Sequence, residues 1–160
     1  MIHHFRIMMS AGAMLVIGAS VAVAQTHPAI GTWRLNLAKS TDESKEAPPK
    51  SETFVFADSA AGVSLSTRII GADGKRIVSK GNPIKWDGLA HPETGDPGHD
   101  SITVTQVGVQ TIEWAMTKGG APVRSGTLTV SRDGKMMTIS GASVATKGGK
   151  VYFNYIFDRK

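Results

Sequence analysis

The chain contains no cysteine, and that absence removes several chemistries at once. Disulfides, thiolate metal sites, a thiol nucleophile and the lipid-modified cysteine of a lipoprotein are all excluded. Aromatic residues make up only 6% of the sequence, so a face that gathers several of them carries information. No segment after residue 24 sustains a 3.6-residue apolar period, which argues against helices as the organising elements. Catalytic punctuation is missing too. No serine stands in a G-x-S-x-G strand-to-helix context. Gly119-Gly120 leads into Ala121-Pro122 and a strand pattern, with no helix N-terminus to hold a phosphate. The expectation is a protein that is not an enzyme, with no catalytic residues and no cofactor.

There is one long apolar run. Ile7 to Val21 follows the polar, mildly basic Met1 to Arg6 and ends in Ala22-Val23-Ala24, a small-x-small cleavage site before Gln25. This is the pattern of a secretory signal peptide. At about 15 residues the run is short of the roughly 20 that a membrane span needs. The sequence thus predicts a signal peptide over residues 1–24, one domain over residues 25–160, no membrane span after cleavage, and a periplasmic or secreted location. The mature part would hold 17 Lys and Arg against 13 Asp and Glu, a net of +4. Lys75, Lys118, Lys135, Lys147 and Lys150 sit beside turn glycines, as solvated hairpin tips do, so no nucleic-acid partner is expected. Attraction to an acidic envelope surface would be nonspecific.

Turn signals recur at Asp73-Gly74, Gly119-Gly120, Asp133-Gly134 and Gly148-Gly149, where glycine supplies the positive φ of tight hairpins. Between them apolar and polar residues alternate at period two. Ile112, Trp114 and Met116 share one face; Leu128 and Val130 share another with Thr127 and Thr129 opposed; Val151, Phe153, Tyr155 and Phe157 line a third. Strands with one dry and one wet face argue against a parallel α/β sheet. The expected fold is all-β, a single-domain antiparallel up-and-down barrel of about eight to ten strands, with a Greek-key sandwich as the alternative. Ala38 to Lys50 and Leu89 to Asp100 read as the long irregular segments.

Gly31-x-Trp33 opening the first strand after THPAI resembles the first lipocalin fingerprint. The series GTWRLNLAKS, PPKSETF, HPETGDP and SRDGKMMTIS, followed by a closing aromatic strand, resembles a family of small exported bacterial lipocalin-like (calycin-type) proteins over Gly31 to Phe157. The second and third lipocalin fingerprints are not recognisable. The resemblance implies a barrel, an envelope location, and an arginine packed across Trp33 from the last strand, for which Arg159 is the available residue; it implies no established activity.

Two sites come into question. His91, Glu93, Asp96, His99 and Asp100 include metal-ligand types, but the histidines stand eight apart on a segment with Pro92, Pro97, Gly95 and Gly98, so no metal site is expected and His91 and His99 should not converge. The other candidate is the barrel interior, where Trp86, Trp114, Met116 and Tyr155 would line a cavity for a small hydrophobic or amphipathic ligand. The alternative is a filled barrel acting as an envelope interaction or stress module through its rim loops, with the contact patch around Ala38 to Lys50.

Overall fold

The computed structural model describes residues 26–94, 97–145 and 148–160; the expected signal peptide, Asp96 and Lys147 lie outside the described residues. The alternating segments become the strands β1 (Gly31–Leu35), β2 (Thr41–Asp42), β3 (Ser51–Ser59), β4 (Gly62–Ile70), β5 (Arg76–Lys80), β6 (Asp87–Pro92), β7 (Ser101–Gln106), β8 (Thr111–Lys118), β9 (Ala121–Val130), β10 (Met136–Val144) and β11 (Lys150–Arg159). They form one sheet in the order β5-β4-β3-β1-β11-β10-β9-β8-β7-β6, with β2 added to β11 beyond β1. Every strand pair is antiparallel, and from β7 onward each strand pairs with the next in sequence.

Pairing of β1 with β11 curls the sheet, because it joins the two ends of the chain in the middle of the strand order. Leu35 lies opposite Phe157; the chain then makes a 3-10 turn over Leu37–Lys39 and returns to β11 with Thr41 opposite Asn154 and Asp42 opposite Phe153. The strand order ends at β5 and β6. Among the described residues no ladder joins these edges; nearby, Asn82 Nδ2 donates to Thr94 Oγ1 at 3.3 Å. The expected barrel is therefore a curled up-and-down sheet with an open seam.

The expectation that Leu89 to Asp100 is irregular throughout is corrected here. Asp87–Pro92 is β6, paired with β7 across a bulge between Asp87 and Ala90. Gly88 at φ 76° gives the backbone the left-handed conformation that this irregularity uses. Within Ala38 to Lys50, Thr41 and Asp42 form the short β2.

Burial is uneven along the interior. Trp33, Phe157, Met137 and Val130 are the largest fully buried side chains, and Leu35, Phe56, Ile112, Leu128 and Ile139 pack around them. Trp33 is held on every side. Its Nε1 donates to Ala29 O at 2.7 Å, and the Arg159 guanidinium carbon lies 4.2 Å from its ring centroid. Arg159 also donates to the carbonyls of Gly134, Ile30 and Pro28, so one side chain ties the end of β11 to the β9–β10 turn and to the segment before β1. The expected Arg159–Trp33 contact is present.

Candidate functional site

The other half of the interior is built differently, and the register says why. Trp114 on β8 lies opposite Gly126 on β9, Gly126 opposite Gly141 on β10, and Gly141 opposite Phe153 on β11. Two adjacent strands thus carry no side chain in this row, leaving a trough roughly 14 Å across from β8 to β11 at the ordinary strand spacing. The rings of Trp114 and Phe153 lean into it from either side, with centroids 6.2 Å apart and planes 23° from parallel. A Cβ on Gly126 would collide with the Ser140 carbonyl, and one on Gly141 with the Ser125 carbonyl and the Phe153 ring. Gly141→Ala is accordingly expected to destabilise the fold by about 1–3 kcal/mol, the usual range for overpacking, and to weaken the near-UV circular dichroism of the Trp114–Phe153 pair. An unchanged spectrum and melting curve would argue against the trough.

On this aromatic floor stands a charge. Arg124 is in phase with Gly126, Leu128 and Val130, so it points inward, and its row runs from Ile102 and Met116 across to Ser143 and Val151. Its guanidinium carbon lies 4.2 Å from the Phe153 centroid and 5.9 Å from that of Trp114. Tyr155 stacks on the other neighbour of this group, 5.1 Å from Phe153 and 17° from parallel. A cation over aromatic faces gains about 0.5–2 kcal/mol, more as water is excluded. Among the described residues, Arg124 Nε is buried and has no hydrogen-bond partner.

Acids complete the cluster. Tyr155 donates its hydroxyl to the Asp42 carboxylate, which β2 brings to the row of Phe153. Burial pulls the Asp42 carboxyl up, but the Tyr155 hydrogen bond, the donors of Ser44 and the Arg124 charge outweigh it, leaving the pKa below its ordinary value. Burial, and then the bond to Asp42, push the Tyr155 phenol far up, so it stays protonated and committed to Asp42. Glu52, in phase with Phe54 and Phe56 on β3, is also inward; burial raises its pKa while Arg124 acts against the rise.

The sign of the Glu52 effect is testable. A carboxyl whose folded pKa is raised stabilises the fold below its unfolded value, near 4.5, and that contribution is lost as pH rises through the folded pKa. Glu52→Gln is therefore expected to match the parent at pH below about 4 and to melt higher at pH 7. Equal melting temperatures across that range would contradict the inward placement.

Of the residues singled out from the sequence, Trp114, Met116 and Tyr155 lie half-buried in this open half, around Arg124. Trp86 does not join them. It lies edge-on to His27, with centroids 4.8 Å apart, in a separate pocket of about 330 Å³ that also includes Ile30, Val63 and Ile84. Arg124, Glu52 and Asp42 were not anticipated. The first two keep strict period-two phase with apolar neighbours, which is the signal that finds them.

The histidine loop resolves into two separate pairs. His91 Nε2 lies 2.8 Å from Asp87 Oδ1, and His99 Nε2 lies 2.8 Å from Glu93 Oε2. Asp100 instead accepts from the Gly119 backbone at 2.7 Å. Among the described residues no group of three or more His, Asp or Glu is placed to hold a metal ion, and no helix is long and apolar enough to cross a membrane.

No protein-family model matches the chain, and no curated protein matches it by sequence. Solved structures do. The zebrafish ileal bile acid-binding protein complexed with cholic acid superposes with a TM-score of 0.51 at 7% identity, covering 83% of this chain and 99% of that one. The siderocalin Ex-FABP matches with a TM-score of 0.40 at 8% identity, over 83% of this chain and 74% of that one. At 7% identity, what the first of these shares with this chain is its architecture: a curled, up-and-down antiparallel sheet.

Proposed function

We propose that the protein is an exported, noncatalytic binder of a small amphipathic molecule. The apolar body lies on Trp114, Phe153 and Tyr155, and an acceptor-bearing head meets Arg124. One observation carries this reading: a guanidinium stands in the half-open interior with its Nε–H buried and, among the described residues, unpartnered. Burying a donor without an acceptor costs about 1–3 kcal/mol, a penalty that a bound carboxylate or similar head would relieve. Support comes also from the barrel-type neighbour, whose bound cholic acid is an amphipathic carboxylate. The tyrosine, held protonated, and the two carboxylates have work to do in setting the local field without any bond-making step.

Titration of the purified protein with dodecanoate and with dodecanol, followed by tryptophan fluorescence, separates the head from the tail. Saturable binding of dodecanoate at least about tenfold tighter than dodecanol is expected, the scale of one charge-assisted hydrogen bond. No saturable binding of either would overturn the reading. Export has its own test: the protein recovered from the envelope or medium should begin at Gln25, and recovery only of the full chain in the cytoplasm would contradict it.

A further inference from the structure

The outer face of β1, β3, β4 and β5 has no part in ligand binding, and its charges are all of one sign. Residues directly opposite in an antiparallel ladder share a face, so the register sorts the outer side chains into rows. Thr32, Val55, Ser66 and Lys80 form one; Arg34, Thr53, Arg68 and Val78 the next; Ser51, Ile70 and Arg76 the third. Arg34, Arg68, Arg76 and Lys80 are exposed, and Lys50, exposed at the entry to β3, reaches toward Gly74 in the β4–β5 turn. The carboxylates on these strands, Glu52 and Asp58, are in phase with Phe54 and Phe56 and face the other way.

Among the described residues none of these five cations has a carboxylate within ion-pair distance. Asp73 pairs with Lys75 at 3.3 Å; Asp158, opposite Arg34 in the β1–β11 ladder and so on the same outer face, is held instead by Asn36 at 2.7 Å and Lys39 at 3.8 Å. Alongside, an open groove of about 520 Å³ is lined by Arg34, Leu37, Lys50 and Lys160 as well as Asp158. Aliphatic side chains are interleaved with the charges: Leu37, Ile70 and Val78 are 40%, 41% and 60% exposed.

The rows hold no aromatic ring on which a nucleic-acid base could stack. Guanidinium and ammonium groups matched to phosphates, with aliphatic tips between them, suit the headgroup layer of an anionic bilayer. We propose that this face docks the protein on an anionic phospholipid surface. The proposal needs only the outer face, and holds whether or not the interior binds a ligand.

The test is co-flotation with vesicles of phosphatidylcholine, alone or with about a third phosphatidylglycerol. All proteins are purified in the same exported form, so that their N-termini are identical. The parent should bind the anionic vesicles and lose that binding in about 0.5 M salt. Replacing Arg34, Arg68 and Arg76 together by glutamine should reduce partitioning about a hundredfold, since each basic residue at such a surface is worth about fivefold. Lys50→Gln with Lys80→Gln, a second variant on the same face, should reduce it roughly twentyfold to thirtyfold. A control triple with the same change in net charge, Arg132→Gln, Lys135→Gln and Lys150→Gln, should lose less than about threefold. Equal losses in the control, equal binding to neutral vesicles, or tighter binding to a single-stranded RNA oligomer would each overturn the proposal.

Discussion

Trp33→Ala is expected to lower the stability of the fold by about 3–5 kcal/mol, the range for removing a large aromatic side chain from a core. The ring is fully buried among the largest interior residues, so its removal leaves a cavity that rigid ladders on both sides cannot collapse. Three further losses follow from the same change. The Ala29 carbonyl loses its donor at 2.7 Å, the Arg159 guanidinium loses the ring 4.2 Å away, and the tie from β11 to the segment before β1 loses its support. Domains of this size are stable by about 5–15 kcal/mol, so the change removes a large share of the total. With a denaturant slope of about 1–3 kcal/mol per molar urea, the midpoint should fall by roughly 2 M. A shift no larger than that of an exposed substitution would mean that Trp33 does not anchor the core between β1 and β11.

Arg124→Met should change stability little and act strongly on binding. Methionine keeps an apolar stem against Phe153 and removes a donor that has no partner among the described residues. Removing the unsatisfied Nε donor gains about 1–3 kcal/mol, while losing the cation–π contact costs about 0.5–2 kcal/mol and leaves Asp42 and Glu52 without the opposing charge, so the melting temperature at pH 7 should change little. Binding of dodecanoate should weaken roughly tenfold to a hundredfold, because a hydrogen bond to a charged partner is worth about 1.5–3 kcal/mol. Binding of dodecanol should change by less than about threefold, since only the head meets Arg124. Parallel titrations of parent and variant check both statements. Equal weakening of acid and alcohol would mean that the substitution disturbed the aromatic floor instead of the head contact.

Much of this arrangement can be read in the sequence, for identifiable reasons. Gly31-x-Trp33 and the terminal Arg159 are far apart in sequence but meet because the first and last strands pair. Period-two alternation places Trp114, Met116 and Tyr155 inward without any knowledge of the partners. The same alternation extends to Arg124 and Glu52, yet charge at those positions reads as surface unless phase is allowed to outrank polarity. Other features have no local signature. Whether β5 and β6 pair depends on curl accumulated over the whole sheet, and the stack of Trp114 on Phe153 depends on two glycines from strands that lie between them. β6 is obscured in the sequence by Pro92, which reads as part of a loop but here ends a bulged strand. The histidines of the same segment group by composition and part in space, His91 to Asp87 and His99 to Glu93.

Amide shift mapping by NMR, with cholate titrated into the protein to saturation, addresses ligand binding most directly. Binding in the open interior should move the amides of Trp114, Met116, Arg124, Gly141, Phe153 and Tyr155 together, with one saturation curve, and leave those around His27 and Trp86 in place. Saturating cholate that leaves the first group unmoved, or that shifts only the pocket beside Trp86, would contradict it.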